Sequence, residues 1–414
     1  MISYHRFTEL LHELFLKPLF LDSAGFTPSH TTSVENFNPL EWNRIKQLSE
    51  YQVNGKCIWW HEEPLNLQDL ENLQWRTIHP SYHLPNPHFH DHPLNVLATA
   101  QSDPLFDVNF QVFANSEISQ LKKSWLKEYP YYDWYFFFHG FAALDWYRDF
   151  KYLDSSDIEI SKVFICLNHI INNNRSYRLY LLSQLKSNNI ESHGFISAPL
   201  LSPNLIKTEL YDKNSRLSST AKKHIFHNLL PTAHNIILDH DTDYNFASAD
   251  IIDAKYAYGS FWHIITETVF YDDKLHLTEK IFKPIVIGRP FILIGAVGNL
   301  AYLRRYGFKT FGQWIDESYD DEPDSDIRLL MIIKELKRLC NMSSNELNEM
   351  YNEMQSVLEY NKQHFFGDFK EILVDELIDN FKKCVFLHNR DKSERYQIPE
   401  QNLNYKNIKK ILLS

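Results

Sequence analysis

The stretch ITETVFYDDKLHLTEKIFKPIVIGRPFILIG, residues 265–295, decides the fold. It opens with the end of a β-branched and aromatic run, SFWHIITET (260–268), that reads as a strand ending at Glu267. After a polar loop, Thr278 is suited to cap a helix, with Glu279 and Lys280 in its first turn. Gly288 and Pro290 then stop the helix, and PFILIG (290–295) reads as a second buried strand. A strand, a helix and a returning strand within so short a span is the crossover unit of a parallel sheet, so the chain belongs to the α/β class. A helix start offers backbone N–H groups and a partial positive charge. Lys280 adds a full one, and the combination suits a diphosphate. Glu267 and Glu279 offer carboxylates for hydroxyl groups, and the same spacing also fits a capped helix whose first-turn glutamate only complements the dipole. Six of the 11 glycines (Gly259, Gly288, Gly295, Gly298, Gly307, Gly312) fall between 259 and 312, so a chain that avoids glycine elsewhere uses it around this unit.

Outward from this unit the alternation of short apolar runs and helical patterns continues. VFICLN (163–168), the helical RSYRLYLLSQLKS (175–187), ESHGFIS (191–197) and NIILD (235–239) precede it. Three amphipathic helices, 325–339, 343–365 and 369–386, follow it. Before the polar stretch DSSDIEISK (154–162), strands are expected at CIWWHEEP (57–64), FDVNFQVFANSE (106–117) and DWYFFFHG (133–140), with helices at 116–129 and 141–153. Ligands of open α/β sheets bind beyond the carboxyl ends of strands, which draws attention to Glu62, Glu63, Glu117 and His139, the last beside Gly140. The domain boundary is placed near residue 158.

Composition narrows the function classes. Over 414 residues, 42 Lys and Arg stand against 53 Asp and Glu; the net charge of -11 argues against a broad nucleic-acid or anionic-membrane surface. Cys57, Cys166, Cys340 and Cys384 lie far apart, which suggests neither a zinc ribbon nor a disulfide framework and fits the cytoplasm. The first twenty residues suit an amphipathic helix, and no run is long and apolar enough for a membrane span. The segment HPSYHLPNPHFHDHP (79–93) has the residue types for a transition metal but four prolines, and no metal is assigned to it. Asp324 and Asp326 form an Asp-x-Asp that opens a helix and reads as its solvated N-terminus; DHDTD (239–243) reads as a polar loop.

Glu267, the Thr278-Glu279-Lys280 helix start, and Gly288, Pro290 and Gly295 together resemble the C-terminal signature of α1,3-fucosyltransferases. VFICLNHIINNNRSYRLYLLSQL (163–185) resembles the strand and arginine-bearing helix that begin the nucleotide domain of that family. The likeness covers residues 163–297. It departs from the family at Thr268, where Asn is usual, and in a slightly longer loop to Glu279. Two further stretches, 136–153 and 307–326, look like parts of uncharacterised glycosyltransferases of bacteria and their phages.

The resemblance implies a GT-B architecture: two Rossmann-like α/β domains facing a cleft, with C-terminal helices. Residues 1–158 would be the acceptor side, 159–340 the nucleotide-sugar-binding domain, and 341–414 helices packing back on them. The implied activity moves a sugar from a nucleoside diphosphate donor, GDP- or UDP-linked, to a hydroxyl of a glycan or other acceptor. It is expected to invert configuration and to need no obligatory metal. By the same likeness Arg178, then Arg175, contacts the diphosphate, whose oxygens suit a forked guanidinium. Thr278, Glu279, Lys280 and Glu267 complete the donor site. The candidate bases, His139, Glu62, Glu63 and Glu117, come instead from their places at strand ends. Two alternatives stand beside it: a non-catalytic carbohydrate- or partner-binding protein on the same fold, and a phage-type nucleic-acid-modifying glycosyltransferase.

Overall fold

Short apolar runs pair into parallel sheets in both halves of the chain. The structure is a computed structural model, and the residues it describes are 20–22, 56–61, 109–115, 118–128, 132–136, 143–144, 147, 159–238, 254–271, 273–390, 404–406 and 409–410. Two compact units divide the chain, one of Met1–Phe141 with Glu371–Ser414, the other of Ala142–Lys370.

In the first unit, strands β1 (Phe20–Asp22), β2 (Lys56–His61), β3 (Asn109–Asn115) and β4 (Tyr132–Phe136) form one sheet in that order, every pairing parallel. Helix α1 (Gln120–Glu128) connects β3 to β4, and the Ser119 hydroxyl accepts from the Lys122 N–H at 3.1 Å at its start. The three runs expected around 57–64, 106–117 and 133–140 are β2, β3 and β4. The first nineteen residues and the histidine-rich segment 79–93 lie outside the described residues.

The second unit is built on β5 (Lys162–Leu167), β6 (Gly194–Ser197), β7 (Ser260–Thr266) and β8 (Phe291–Ile294), in the order β6-β5-β7-β8 and again all parallel. All seven residues of β7 and all four of β8 are buried, as strands covered on both faces require, even though β8 stands last in the order. Between the strands run α2 (Tyr177–Ser187), α3 (Pro203–Tyr211), α4 (Ser219–Asn228) and α5 (Ala254–Tyr258), then α6 (Phe282–Ile287). Beyond β8 come α7 (Asn299–Arg305), α8 (Ser325–Cys340) and α9 (Ser344–Phe366); of α10 (Asp368–Arg390) only the first three residues belong to this unit. Phe282 stacks on Phe369 at 5.2 Å and meets Phe308 at 5.5 Å, while Trp262 packs edge-on against Phe311 at 5.7 Å. These rings carry much of the apolar burial that orders this unit.

Two expectations change. Of NIILD (235–239), the described residues 235–238 form no strand; Ile236 makes a single antiparallel bridge to Ala198, because residues 233–238 are half-exposed or exposed and have no buried face to pair through. The helix expected over 277–288 begins as a 3-10 turn, Glu279–Ile281, and is α-helical only over Phe282–Ile287. Pro284 has no N–H to bond back one turn, so the tighter turn precedes it. The Asp324 side chain accepts from the N–H groups of Asp326 and Ile327, making it the cap of α8 as its spacing indicated. Ser343 and Glu346 form a reciprocal capping box at α9.

Two glycines with left-handed backbone have unequal demands. At Gly288, φ is 67° and a Cβ would meet nothing within 4 Å; at Gly307, φ is 91° and a Cβ would lie 2.6 Å from His364 Nε2, which is itself held 2.7 Å from the Tyr306 carbonyl. Gly288→Ala should therefore cost about 1 kcal/mol of backbone strain. Gly307→Ala should cost about 2–4 kcal/mol, because strain adds to a displaced buried histidine. Urea denaturation of the pair measures this ordering, and equal losses would contradict it.

Candidate functional site at the switch point of the second sheet

From β5 the chain passes through α2 to β6 on one side, and β7 then joins on the other. Strand order reverses between β5 and β7, so their carboxyl ends flank the place where open α/β sheets form a crevice. Four of the residues singled out in the sequence, Glu267, Thr278, Glu279 and Lys280, are brought together at the β7 side.

Glu267 directly follows β7 and is fully buried. Its carboxylate accepts from the Thr278 hydroxyl at 2.7 Å and the Thr278 N–H at 3.3 Å, with the Thr268 N–H at 3.4 Å. The glutamate thus pins the far end of its own loop, and its oxygens are turned to protein groups. Thr278 in turn caps the 3-10 turn: its hydroxyl oxygen accepts from the Lys280 N–H at 3.4 Å and from Lys280 Nζ at 3.1 Å. Lys280 Nζ also lies 3.1 Å from Glu279 Oε1; the lysine side chain is 34% exposed and that of the glutamate 8%. The ammonium is held by neighbours yet open to solvent.

Burial raises the Glu267 carboxyl above its ordinary value, although Lys280 and the hydrogen bonds from Thr278 pull it back. A carboxyl raised on folding adds stability that is fully present below its unfolded value of about 4.5 and is lost as pH rises through the folded value. Glu267→Gln removes this titration while keeping an oxygen for Thr278. The difference in melting temperature, variant minus parent, should accordingly grow as pH is raised from 4.5 toward 8; a flat or shrinking difference would refute it.

Arg178 has another occupation than an open phosphate fork. It is 3% exposed on α2, and its guanidinium donates to the carbonyls of Ile170 at 2.7 Å, Thr266 at 2.6 Å and Glu267 at 3.2 Å. It braces the ends of β5 and β7 against each other. Arg175 stands in the half-exposed 3-10 turn Asn173–Arg175 just before α2.

The loop from Glu267 to Thr278 is fastened along its described length by residues that motif reading did not single out. The Tyr177 hydroxyl donates to the Glu267 carbonyl at 2.6 Å, and the Tyr177 ring stacks on Phe270 at 4.2 Å. Arg328, 1% exposed on α8, donates to the Phe270 carbonyl at 2.5 Å. Asn299 at the start of α7 accepts from the His276 N–H at 3.2 Å and donates to the Ala296 carbonyl at 2.9 Å. Only Arg328 left a trace in the sequence, as a lone arginine on the apolar stripe it shares with Ile332, Leu336 and Leu339. A loop tied at so many points presents Lys280 in one place, which is what preorganised charge requires.

Glu62, Glu63, Glu117 and His139 lie outside the described residues, as does DHDTD (239–243). Among the described residues, no group of three or more His, Cys, Asp or Glu side chains is arranged to hold a metal ion. No helix among them is long and apolar enough to cross a membrane. Cys166 and Cys340 are free and buried; burial pushes the Cys166 thiol up to about 11, a value at which it is not a nucleophile. No protein-family model matches the chain, and no curated protein matches it.

Proposed function

We propose that the chain is a glycosyltransferase of GT-B type that moves a sugar from a nucleoside diphosphate to a hydroxyl acceptor, a glycan or another alcohol, with the donor diphosphate seated at the switch point of the second sheet. One observation carries the reading: a buried glutamate at the carboxyl end of β7 fixes a threonine, and the threonine fixes a half-buried lysine, all beside the strand-order reversal. Negative charge grows on the leaving diphosphate as its bond to the anomeric carbon breaks, and a lysine already in place stabilises that charge without rearrangement. Glu279 holds the ammonium until substrate arrives, and Glu267 acts as a positioning residue through Thr278. The acceptor oxygen bonds the anomeric carbon as the diphosphate departs. Its proton passes to a general base, for which Glu62, Glu63 and His139 are the candidates. Inversion at the anomeric carbon is part of the proposal, as is a leaving group stabilised by Lys280 without an obligatory metal.

Thermal shift of the full chain with GDP, UDP and dTDP in turn tests the reading. One of them should stabilise the protein, by about 2.7 kcal/mol at a hundred times its dissociation constant. Absence of stabilisation by all three would overturn it.

A non-catalytic binding protein on this fold is favoured by one observation, the commitment of Arg178 to backbone carbonyls. Turnover of the donor that binds separates the two, because a binding protein leaves the bond between sugar and phosphate intact.

A further inference from the structure

On the β5 side of the switch point stands a residue to which the motifs assign nothing. His169 is exposed, one residue past Asn168, and its side chain makes no hydrogen bond or ion pair among the described residues. The β5–β7 register runs as far as Cys166 beside Ile264; past it the chain bends at His169, and the Arg178 guanidinium, bonded to the Ile170 carbonyl on one side and to the Thr266 and Glu267 carbonyls on the other, keeps this bend close to the end of β7. The backbone on either side of it is fixed. The Asn168 N–H donates to the Ser197 carbonyl at 2.8 Å, and the Ile170 carbonyl accepts from Arg178 at 2.7 Å. Through Thr266 and Glu267 the same guanidinium holds the end of β7, so one buried cation sets the spacing between His169 and the Glu267-Thr278-Lys280 chain. Leu167 and Ile170, exposed on either side of the histidine, bring no charge to oppose an anion.

We propose that His169 is the second hydrogen-bond donor to the donor diphosphate, contacting it from the β5 side while Lys280 contacts it from the β7 side. This rests on the reading of the site as a nucleotide-sugar site. It resolves the arginine difficulty: Arg178 is spent on bracing the backbone, and the contact falls to the imidazole whose place the brace determines. Two donors, one in the bend after β5 and one in the turn after the β7 loop, can grip both phosphates of a diphosphate, whereas a monophosphate reaches only one of them.

Isothermal titration of the full chain with GDP, UDP and dTDP and with the matching monophosphates tests this. For the diphosphate that binds the parent, His169→Ala should weaken affinity about ten- to a hundredfold, the worth of one hydrogen bond to a charged group. Affinity for the monophosphate should change less than about threefold, and His169→Gln, which retains an N–H donor, should recover part of the loss. The melting temperature of both variants should match the parent, because the side chain is exposed. Unchanged diphosphate affinity in His169→Ala, or an equal loss for monophosphate and diphosphate, would overturn the proposal. If the parent binds no nucleotide, the glycosyltransferase reading itself fails. If the parent binds and Lys280→Ala weakens binding while His169→Ala does not, only the role of His169 falls.

Discussion

Lys280→Ala should lower turnover about a hundred- to a thousandfold while leaving the melting temperature within about 4 °C of the parent. The rate estimate follows from the cost of removing one preorganised charge from a developing anion. A unit charge 4 Å away contributes about 4 kcal/mol at an effective dielectric constant of 20, which is the same scale. The stability estimate follows from the surroundings of the lysine. Among the described residues its ammonium bonds to Thr278 and Glu279, its immediate neighbours, and a third of the side chain is already in water. The lysine is part-exposed while Glu279 is buried, so the pair is worth about 1 kcal/mol or less to folding. Donor hydrolysis or transfer, followed with whichever nucleotide sugar the thermal shift selects, measures the first part, and calorimetry the second. Near-parental turnover would remove Lys280 from the reaction and the donor site with it.

Arg178→Met should act in the opposite way, unfolding the second unit more readily by about 3–5 kcal/mol. The methionine fills the space but leaves the buried Thr266 carbonyl and the part-buried Ile170 carbonyl without their guanidinium donors. Arg289 provides the control. It too is buried, at 7% exposure, but it donates to a single backbone carbonyl among the described residues, that of Tyr258 at 2.8 Å; its Nε and Nη1 find no partner there, and the Tyr258 and Tyr351 side chains flank its charge. Arg289→Met should cost less than about 1 kcal/mol, since an imperfectly paired buried charge gives up little when an apolar side chain of similar length replaces it. Chemical denaturation of the two variants side by side decides the matter. Comparable losses would mean that the carbonyl brace is not what makes Arg178 important.

The sequence made the central unit readable because its signals are local. A cap, a first-turn charge pair, a stopping glycine and two unbroken apolar strands each follow from residues within a turn of one another, and the structure has all of them. The helices α3, α4 and α7 were not foreseen: they are short, and the start of α7 is secured from a distance by Asp320, whose carboxylate accepts from the Leu300 and Ala301 N–H groups at 2.9 and 3.0 Å. The same limit applied at the site. That a lysine follows Thr-Glu is legible in a string of letters, whereas the consumption of Arg178 by carbonyls 88 and 89 positions away is a tertiary fact. His169 went unremarked because an exposed histidine after a strand has no pattern until the strand order shows which neighbour it gains.

The order β6-β5-β7-β8 also has a consequence for biosynthesis. β5 pairs with β6 about thirty residues later, but its other edge waits for β7, 98 positions downstream by the Lys162–Ser260 register. At roughly 5–20 residues per second on the ribosome, that edge stays open for about 5–20 s. Throughout that interval the apolar Phe164-Ile165-Cys166 edge is available to any other nascent strand. The emerging chain therefore passes through a period in which its own future centre is its most adhesive part, and production of soluble protein should depend on holdase chaperones and on slow translation temperatures more than on the stability of the finished fold.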